Sequence, residues 1–190
     1  TAAILREGDR FLSAGTTLQG IGKAAGVPSA TWASGGSLNT ARRGMAGFGL
    51  QTAAVAAAGS TGSTVANSES YNGSSWTEGN DVNTARFDIA AAGTQTAGII
   101  FSGDPYSATT ETYDGTSYTE VGDLNTARQK ASAFGTQPLA ICAGGEAPPG
   151  AQSITESWDG SSWTEVGDLN NARFGLAAGI QSPSSNGIVC

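Results

Sequence analysis

Three glutamates occupy one place in a recurring pattern, Glu69, Glu111 and Glu156. Four arginines, Arg42, Arg86, Arg128 and Arg173, recur beside them, each closing an Asn-Thr-Ala-Arg or Asn-Asn-Ala-Arg run that begins at Asn39, Asn83, Asn125 or Asn170. Carboxylates in such a set could act as acid and base on a glycosidic bond or ligate a cation. The arginines could gather around an anion. The repetition argues against all three. A catalytic group is expected to be unique, not copied from repeat to repeat, and no unique carboxylate pair stands out. The D-x-D-x-D-G type of ligand spacing is missing. We therefore expect the glutamates to form salt bridges or backbone hydrogen bonds with the arginines, and the asparagines to cap turns.

The chain has no histidine. This removes Ser-His-Asp and Cys-His nucleophile systems, imidazole-bearing zinc or copper sites and histidine acid–base chemistry. No phosphate-binding glycine motif follows a strand and opens a helix. No catalytic residue, metal site or cofactor is expected. Cys142 and Cys190 each end a short apolar run, LAIC and GIVC, and read as buried free thiols in equivalent strands.

Charged residues make up 13% of the 190 residues, against roughly 25% in an average globular protein. Net charge is −7, with nine lysines and arginines in all. Nucleic acid is an unexpected partner, because tracking phosphates needs a basic groove. No apolar run approaches the ~18 residues of a membrane span. The opening TAAILREGD has too short an apolar core for a secretory leader, so ordinary secretion is not expected.

The elements that must hold these residues follow from the repeat. The blocks WTEGNDVNTAR, YTEVGDLNTAR and WTEVGDLNNAR begin at Trp76, Tyr118 and Trp163, and an earlier one begins at Trp32; the steps are 44, 42 and 45 residues. A period in the forties with strand-like contents indicates four-stranded propeller blades. In the unit after Asn83, RFDIAAAG (86–93) reads as a first strand and AGIIFSG (97–103) as a second, buried on both faces. TETY (110–113) is the third and SYTEV (117–121) the fourth, joined by Asp114-Gly115 in a tight primed turn. Asn72-Gly73 and Asp159-Gly160 hold the same place. Small residues in each first strand suit a crowded axis, and Trp76, Tyr118 and Trp163 on outer strands are expected to be buried between units. Gln51, Gln95, Gln137 and Gln181 are expected to hydrogen-bond across turns.

The chain ends are complementary. Strands at 16–23 and 32–35 would complete a unit begun by strands at 174–179 and 186–190, giving an all-β fold of four blades closed by the N- and C-terminal strands. The alternative is a fragment of a six- or seven-bladed propeller.

The unit resembles the kelch repeat. That family opens its first strand with Arg, ends the second with Gly-Gly, and places an acidic residue before an aromatic in the third and an aromatic in the fourth. Here these are Arg86, Ser102-Gly103, Glu111 with Tyr113, and Tyr118; in the next unit, Arg128, Gly144-Gly145, Glu156 with Trp158, and Trp163. The di-glycine is intact only at Gly144-Gly145, being Ala58-Gly59 and Ser102-Gly103 elsewhere. The wording LNTAR, GTQTA and ESYNGSSWTE, with the opening REGDRFLSAGTTLQGIGKA, is similar to repeat proteins of marine bacteriophages, especially cyanophages. That resemblance implies a non-enzymatic virion protein: a fibre, decoration or accessory tail subunit acting in assembly or host attachment, as part of a larger assembly with other virion proteins.

Two surfaces are candidates for contact. Residues 1–15 fall outside the repeat, which covers 16–190. They carry Ile4, Leu5, Phe11 and Leu12, apolar side chains suited to docking on another virion protein. The second surface is the loops STGSTVAN (60–67), DPYSAT (104–109) and EAPPGAQS (146–153), which vary on a regular scaffold. There Asp104, Tyr106 and Glu146 could stack on and hydrogen-bond a host-surface sugar, as in a lectin-like module. A glycan-active enzyme is the least favoured reading.

Overall fold

The computed structural model describes residues 35–178 and two short N-terminal strands. The chain divides into two compact units, Thr1–Ser34 and Gly35–Cys190. In the first, β1 (Phe11–Ser13) pairs antiparallel with β2 (Thr16–Leu18), placing Phe11 opposite Leu18 and Ser13 opposite Thr16. The hairpin thus joins residues on both sides of position 15. Ile4 and Leu5 lie outside the described residues. So do most of the stretches expected to close the fold, 19–34 and 179–190.

The second unit is a succession of antiparallel meanders. The first sheet is β3 (Ala46–Leu50), β4 (Ala53–Ser60), β5 (Thr64–Tyr71) and β6 (Trp76–Glu78), in that order. The second is β7 (Ala90–Thr94), β8 (Ala97–Phe101), β9 (Thr110–Tyr113) and β10 (Tyr118–Glu120). The third sheet begins with β11 (Ser132–Thr136) and β12 (Leu139–Ala143). A small hairpin, β13 (Glu146–Ala147) with β14 (Gly150–Ala151), interrupts it, and β15 (Thr155–Trp158) and β16 (Trp163–Val166) complete it. No helix occurs among the described residues, and none is long and apolar enough to cross a membrane.

Each second strand is buried on both faces, which its unbroken apolar run requires. Alternation along β8 sorts its side chains between two cores. Ile100 packs with Phe48, Val55, Ala91, Tyr113 and Tyr118 on one side. Ile99 and Phe101 pack with Leu124, Cys142, Trp158 and Trp163 on the other. First strands are small but not uniformly so. Phe48 and Phe134 are buried there, at 3% and 7% exposure. Space for Phe48 comes from Gly98 of the next sheet, where a Cβ would overlap the ring. Tyr118 and Trp163 are buried as expected, but Trp76 is half-buried.

The hairpin turns differ from the two-residue form the Asx-Gly pairs suggested. Tyr71 faces Trp76, Tyr113 faces Tyr118 and Trp158 faces Trp163, so each loop has four residues. The glycine takes positive φ, but the preceding Asn or Asp does not. Instead its side chain caps the turn. Asp159 Oδ1 accepts from the Ser161 and Ser162 amides at 2.8 Å each, and Asn72 and Asp114 do the same in their loops.

Two series of backbone bonds stitch consecutive units together. Gly59, Gly103 and Gly145 N–H donate to the carbonyls of Arg86, Arg128 and Arg173, at 2.9–3.0 Å. Asp88 N–H donates to Gly44 O, Lys130 N–H to Asp88 O, and Gly175 N–H to Lys130 O. Gly44, Asp88, Lys130 and Gly175 all have φ between +53° and +67°. The segment after Arg173 therefore seats on the third sheet as β7 and β11 seat on the sheets before them.

Candidate functional site

The recurring arginines and glutamates meet inside the sheets. Arg42 Nη1 lies 2.5 Å from Glu69 Oε1, Arg86 Nη1 2.6 Å from Glu111 Oε1, and Arg128 Nη1 2.5 Å from Glu156 Oε1. All six side chains are at most 1% exposed. Chain order explains the geometry. The Asn-Thr-Ala-Arg run enters each sheet at its first strand, and the glutamate comes from the third, so the pair crosses the second strand.

The remaining polar atoms are nearly all used. In the second sheet, the Asn83 and Thr84 amides donate to Glu111 Oε2 and Oε1. Asn83 Nδ2 donates to Glu111 Oε2 and to the Tyr118 carbonyl, tying the entry run to strands three and four together. Arg86 adds bonds to Thr84 O and Ser102 O. Asn125, Thr126 and Arg128 repeat the arrangement around Glu156. Asn39, Thr40 and Arg42 do so around Glu69, except that Asn39 Nδ2 donates to the Trp76 carbonyl and not to the carboxylate. Burial pushes the Glu69 carboxyl upward, but the Asn39 amide, Arg42 and the Thr40 amide outweigh it and hold it below the ordinary value. A desolvated pair is tolerable when its other hydrogen-bonding positions are also filled. Here both oxygens of each carboxylate accept and Arg86 Nε is bonded, while the buried Nε of Arg42 and of Arg128 has no partner among the described residues. These groups are consequently not free to hold an anion or a metal.

Sequence reasoning missed a second repeated contact. The residue before each glutamate is Ser68, Thr110 or Thr155, and the residue seven after it is Trp76, Tyr118 or Trp163. Tyr118 OH is 2.8 Å from Ser68 Oγ of the preceding sheet, and Trp163 Nε1 donates to Thr110 Oγ1 at 3.0 Å. The aromatics thus join neighbouring sheets by a specific bond as well as by area. The alternating hydroxyl beside each glutamate was the available signal. Gln95 also bridges sheets. It donates to Ala54 O and Tyr71 O of the first sheet instead of bonding within its own turn.

Cys142 is a buried free thiol, as expected, and burial pushes it up to about 12. It stays protonated and unreactive, accepting from Arg128 Nη2 at 3.0 Å. Cys190 lies outside the described residues.

The three variable segments are not equivalent loops. Most of 60–67 is strand, because β4 ends at Ser60 and β5 begins at Thr64. β-Branched Thr64 and Val65 let the β4–β5 pairing continue. Pro105 interrupts the second segment, and in the third Pro148 and Pro149 form the turn of the separate β13–β14 hairpin. Asp104 is half-buried and its amide donates to Phe87 O. Tyr106 is 40% exposed. Glu146 Oε2 accepts from Lys130 Nζ at 2.8 Å and from Gln129 Nε2 at 3.0 Å. Those hydrogen bonds hold the Glu146 carboxyl below its ordinary value and raise Lys130. Of the expected sugar-contacting trio, Glu146 is occupied by its own scaffold, while Tyr106 is exposed and the half-buried Asp104 makes no side-chain hydrogen bond among the described residues. Phe11 and Leu12 sit in β1 opposite Leu18 and Thr17.

A hollow of about 280 Å³ opens where first strands converge, lined by Gly47, Ala91, Ser132, Ala133, Ala177 and other small or apolar residues. No titratable side chain lines it. No group of three or more His, Cys, Asp or Glu stands close enough to hold a metal ion among the described residues. No protein-family model matches the chain, and no curated protein matches it.

Proposed function

We propose that this chain is a display scaffold: a kelch-like β-propeller serving as a bacteriophage virion structural protein, in a fibre, decoration or accessory tail position. The supporting observation is where the charge goes. The recurring arginines and glutamates neutralise one another inside the sheets, so the repeated chemistry is architectural. What varies between repeats is surface: the segments at 104–109 and 146–153 and the exposed Tyr106 ring. A rigid repeat with variable edges suits binding or assembly and provides no acid–base pair for turnover. The virion assignment rests on the resemblance of the repeat wording to marine phage proteins. The three sheets are blades in this reading, and the segment from Arg173 opens a further one.

Docking to other virion proteins is assigned to the N-terminal segment with Ile4, Leu5, Phe11 and Leu12, and outward display to the loops. An antiserum raised against the chain should label purified phage particles, and deleting residues 1–13 should leave a folded protein that no longer joins them. Unlabelled particles would overturn the virion reading. Incorporation of the truncated protein would overturn the docking assignment. A glycan array tests the lectin-like second reading, which Tyr106 favours by offering a ring for a sugar face; Tyr106→Ala should abolish any signal. Release of sugar from host polysaccharide would instead establish an enzyme.

A further inference from the structure

The fourth arginine breaks the pattern of the other three. Its backbone is seated as theirs are. Arg173 N–H donates to Gln152 O, as Arg128 N–H does to Ser107 O, and Leu169 N–H donates to Ser153 O, as Leu124 N–H does to Ala108 O. Its side chain is not. Arg173 is exposed, and its one side-chain hydrogen bond among the described residues is from Nε to Asn171 O. Asn170, in the place of Asn83 and Asn125, makes no side-chain hydrogen bond among the described residues. A third group is orphaned on the same flank. Thr155 is 8% exposed and its Oγ1 has no partner among the described residues, although Ser68 Oγ and Thr110 Oγ1 are each bonded to an aromatic of the following unit.

These three vacancies define what is missing. Arg173 and Asn170 need a third-strand carboxylate. Thr155 needs a donor from a fourth strand, seven residues beyond that carboxylate. The N-terminal segment fits only half of this description. Trp32 has the right block around it, but the residues seven and eight before it are Ala25 and Ala24, where the other units have Glu and Ser or Thr. No Asp or Glu occurs from Phe11 to Ser68. A second copy of the chain has no spare carboxylate of this kind, since Glu69, Glu111 and Glu156 are all committed.

We propose that the flank marked by Asn170, Arg173 and Thr155 is a docking surface for the third and fourth strands of one further repeat. That repeat carries Ser/Thr-Glu followed seven residues later by Trp or Tyr, and it is not the chain's own N-terminal segment. The spacing from arginine to glutamate is 27, 25 and 28 residues in the three complete units, which places this glutamate past Cys190. The proposal rests on the propeller reading and selects its larger-ring form over closure by the chain's own ends.

The test compares the full chain with one carrying a copy of residues 143–166 after Cys190. The copy should raise the thermal midpoint and show protection from amide exchange. The gain should vanish when the copied glutamate becomes Gln or when Arg173→Ala is introduced, with the two changes non-additive. In the chain without the copy, Arg173→Ala should leave the midpoint unchanged, whereas Arg86→Ala should lower it sharply. Ala25→Glu decides the rival: an Arg173-dependent rise would mean that the N-terminal segment completes the unit, overturning the proposal. A concentration-dependent stabilisation abolished by Arg173→Ala would assign the surface to a second copy and overturn it too. A protected copy whose gain ignores Arg173 overturns this proposal alone. A copy that stays unprotected overturns the propeller reading with it.

Discussion

At the residue scale, the chain uses its scarce charge where it is costliest. Glu111 is fully buried and receives hydrogen bonds from Asn83, Thr84 and Arg86. Converting it to Gln keeps the volume but leaves the Arg86 guanidinium buried without a counter-charge. Breaking such a pair from one side costs about 3–5 kcal/mol, and chemical denaturation of Glu111→Gln should show a loss of that size. Ser102 makes the opposite case. It stands where the third unit has Gly144, at φ +63°, and its buried hydroxyl has no partner among the described residues. A left-handed non-glycine residue costs about 1–2 kcal/mol, and glycine gives back about 0.4–1 kcal/mol through a freer unfolded chain. Ser102→Gly should therefore stabilise the protein by up to about 1 kcal/mol, read from the same denaturation curves. The pairing of arginine with glutamate was legible from their shared recurrence. That Ser102 would accept a glycine's conformation was not, because only the intact Gly144-Gly145 signals it.

At the element scale, periodicity read the strands well and the turns less well. β9 has the boundaries its sequence suggests, Thr110–Tyr113, while β7 starts at Ala90, four residues after Arg86, because Arg86 itself is drawn into the ion pair. Asx-Gly marked each hairpin correctly but not the loop length, since a side-chain cap makes a four-residue loop as well defined as a primed turn. That cap titrates. The Asp159 carboxylate, with the Ser161 side chain and the Ser162 and Ser161 amides donating to it, is held down to about 2 from an ordinary 3.8. A depressed folded-state value means the contribution is complete above about pH 4 and fades as pH falls toward 2. Asn72 fills the same role without a titrating group. Asp159→Asn should thus change stability little at pH 7 and flatten its decline below pH 4, measured by thermal melts across that range.

At the scale of the whole Gly35–Cys190 unit, stability is shared between neighbours. Each sheet bonds to the next through a glycine–arginine backbone contact, a link between left-handed residues and, in two cases, an aromatic-to-hydroxyl bond. The second sheet contributes to both main cores, through Ile100 on one side and Ile99 and Phe101 on the other. The recurrence made such an array legible in the sequence. It did not reveal that the links run through hydroxyls and carbonyls, because backbone partners leave no residue signature. A nearest-neighbour array responds to damage according to position. Glu111→Gln removes support from both flanks, so amide exchange should accelerate in β3–β6 and in β11–β16 alike. Glu156→Gln weakens the third sheet and the contact it makes with the second, so β11–β16 should exchange faster while β3–β6 keep their native protection. The two variants disable the same chemical device, and a merely local role would confine each effect to its own sheet. If β3–β6 and β11–β16 retain native exchange in Glu111→Gln, the sheets are energetically independent and the inter-sheet bonds contribute little. If Glu156→Gln accelerates exchange equally from β3 to β16, the unit unfolds as one cooperative body.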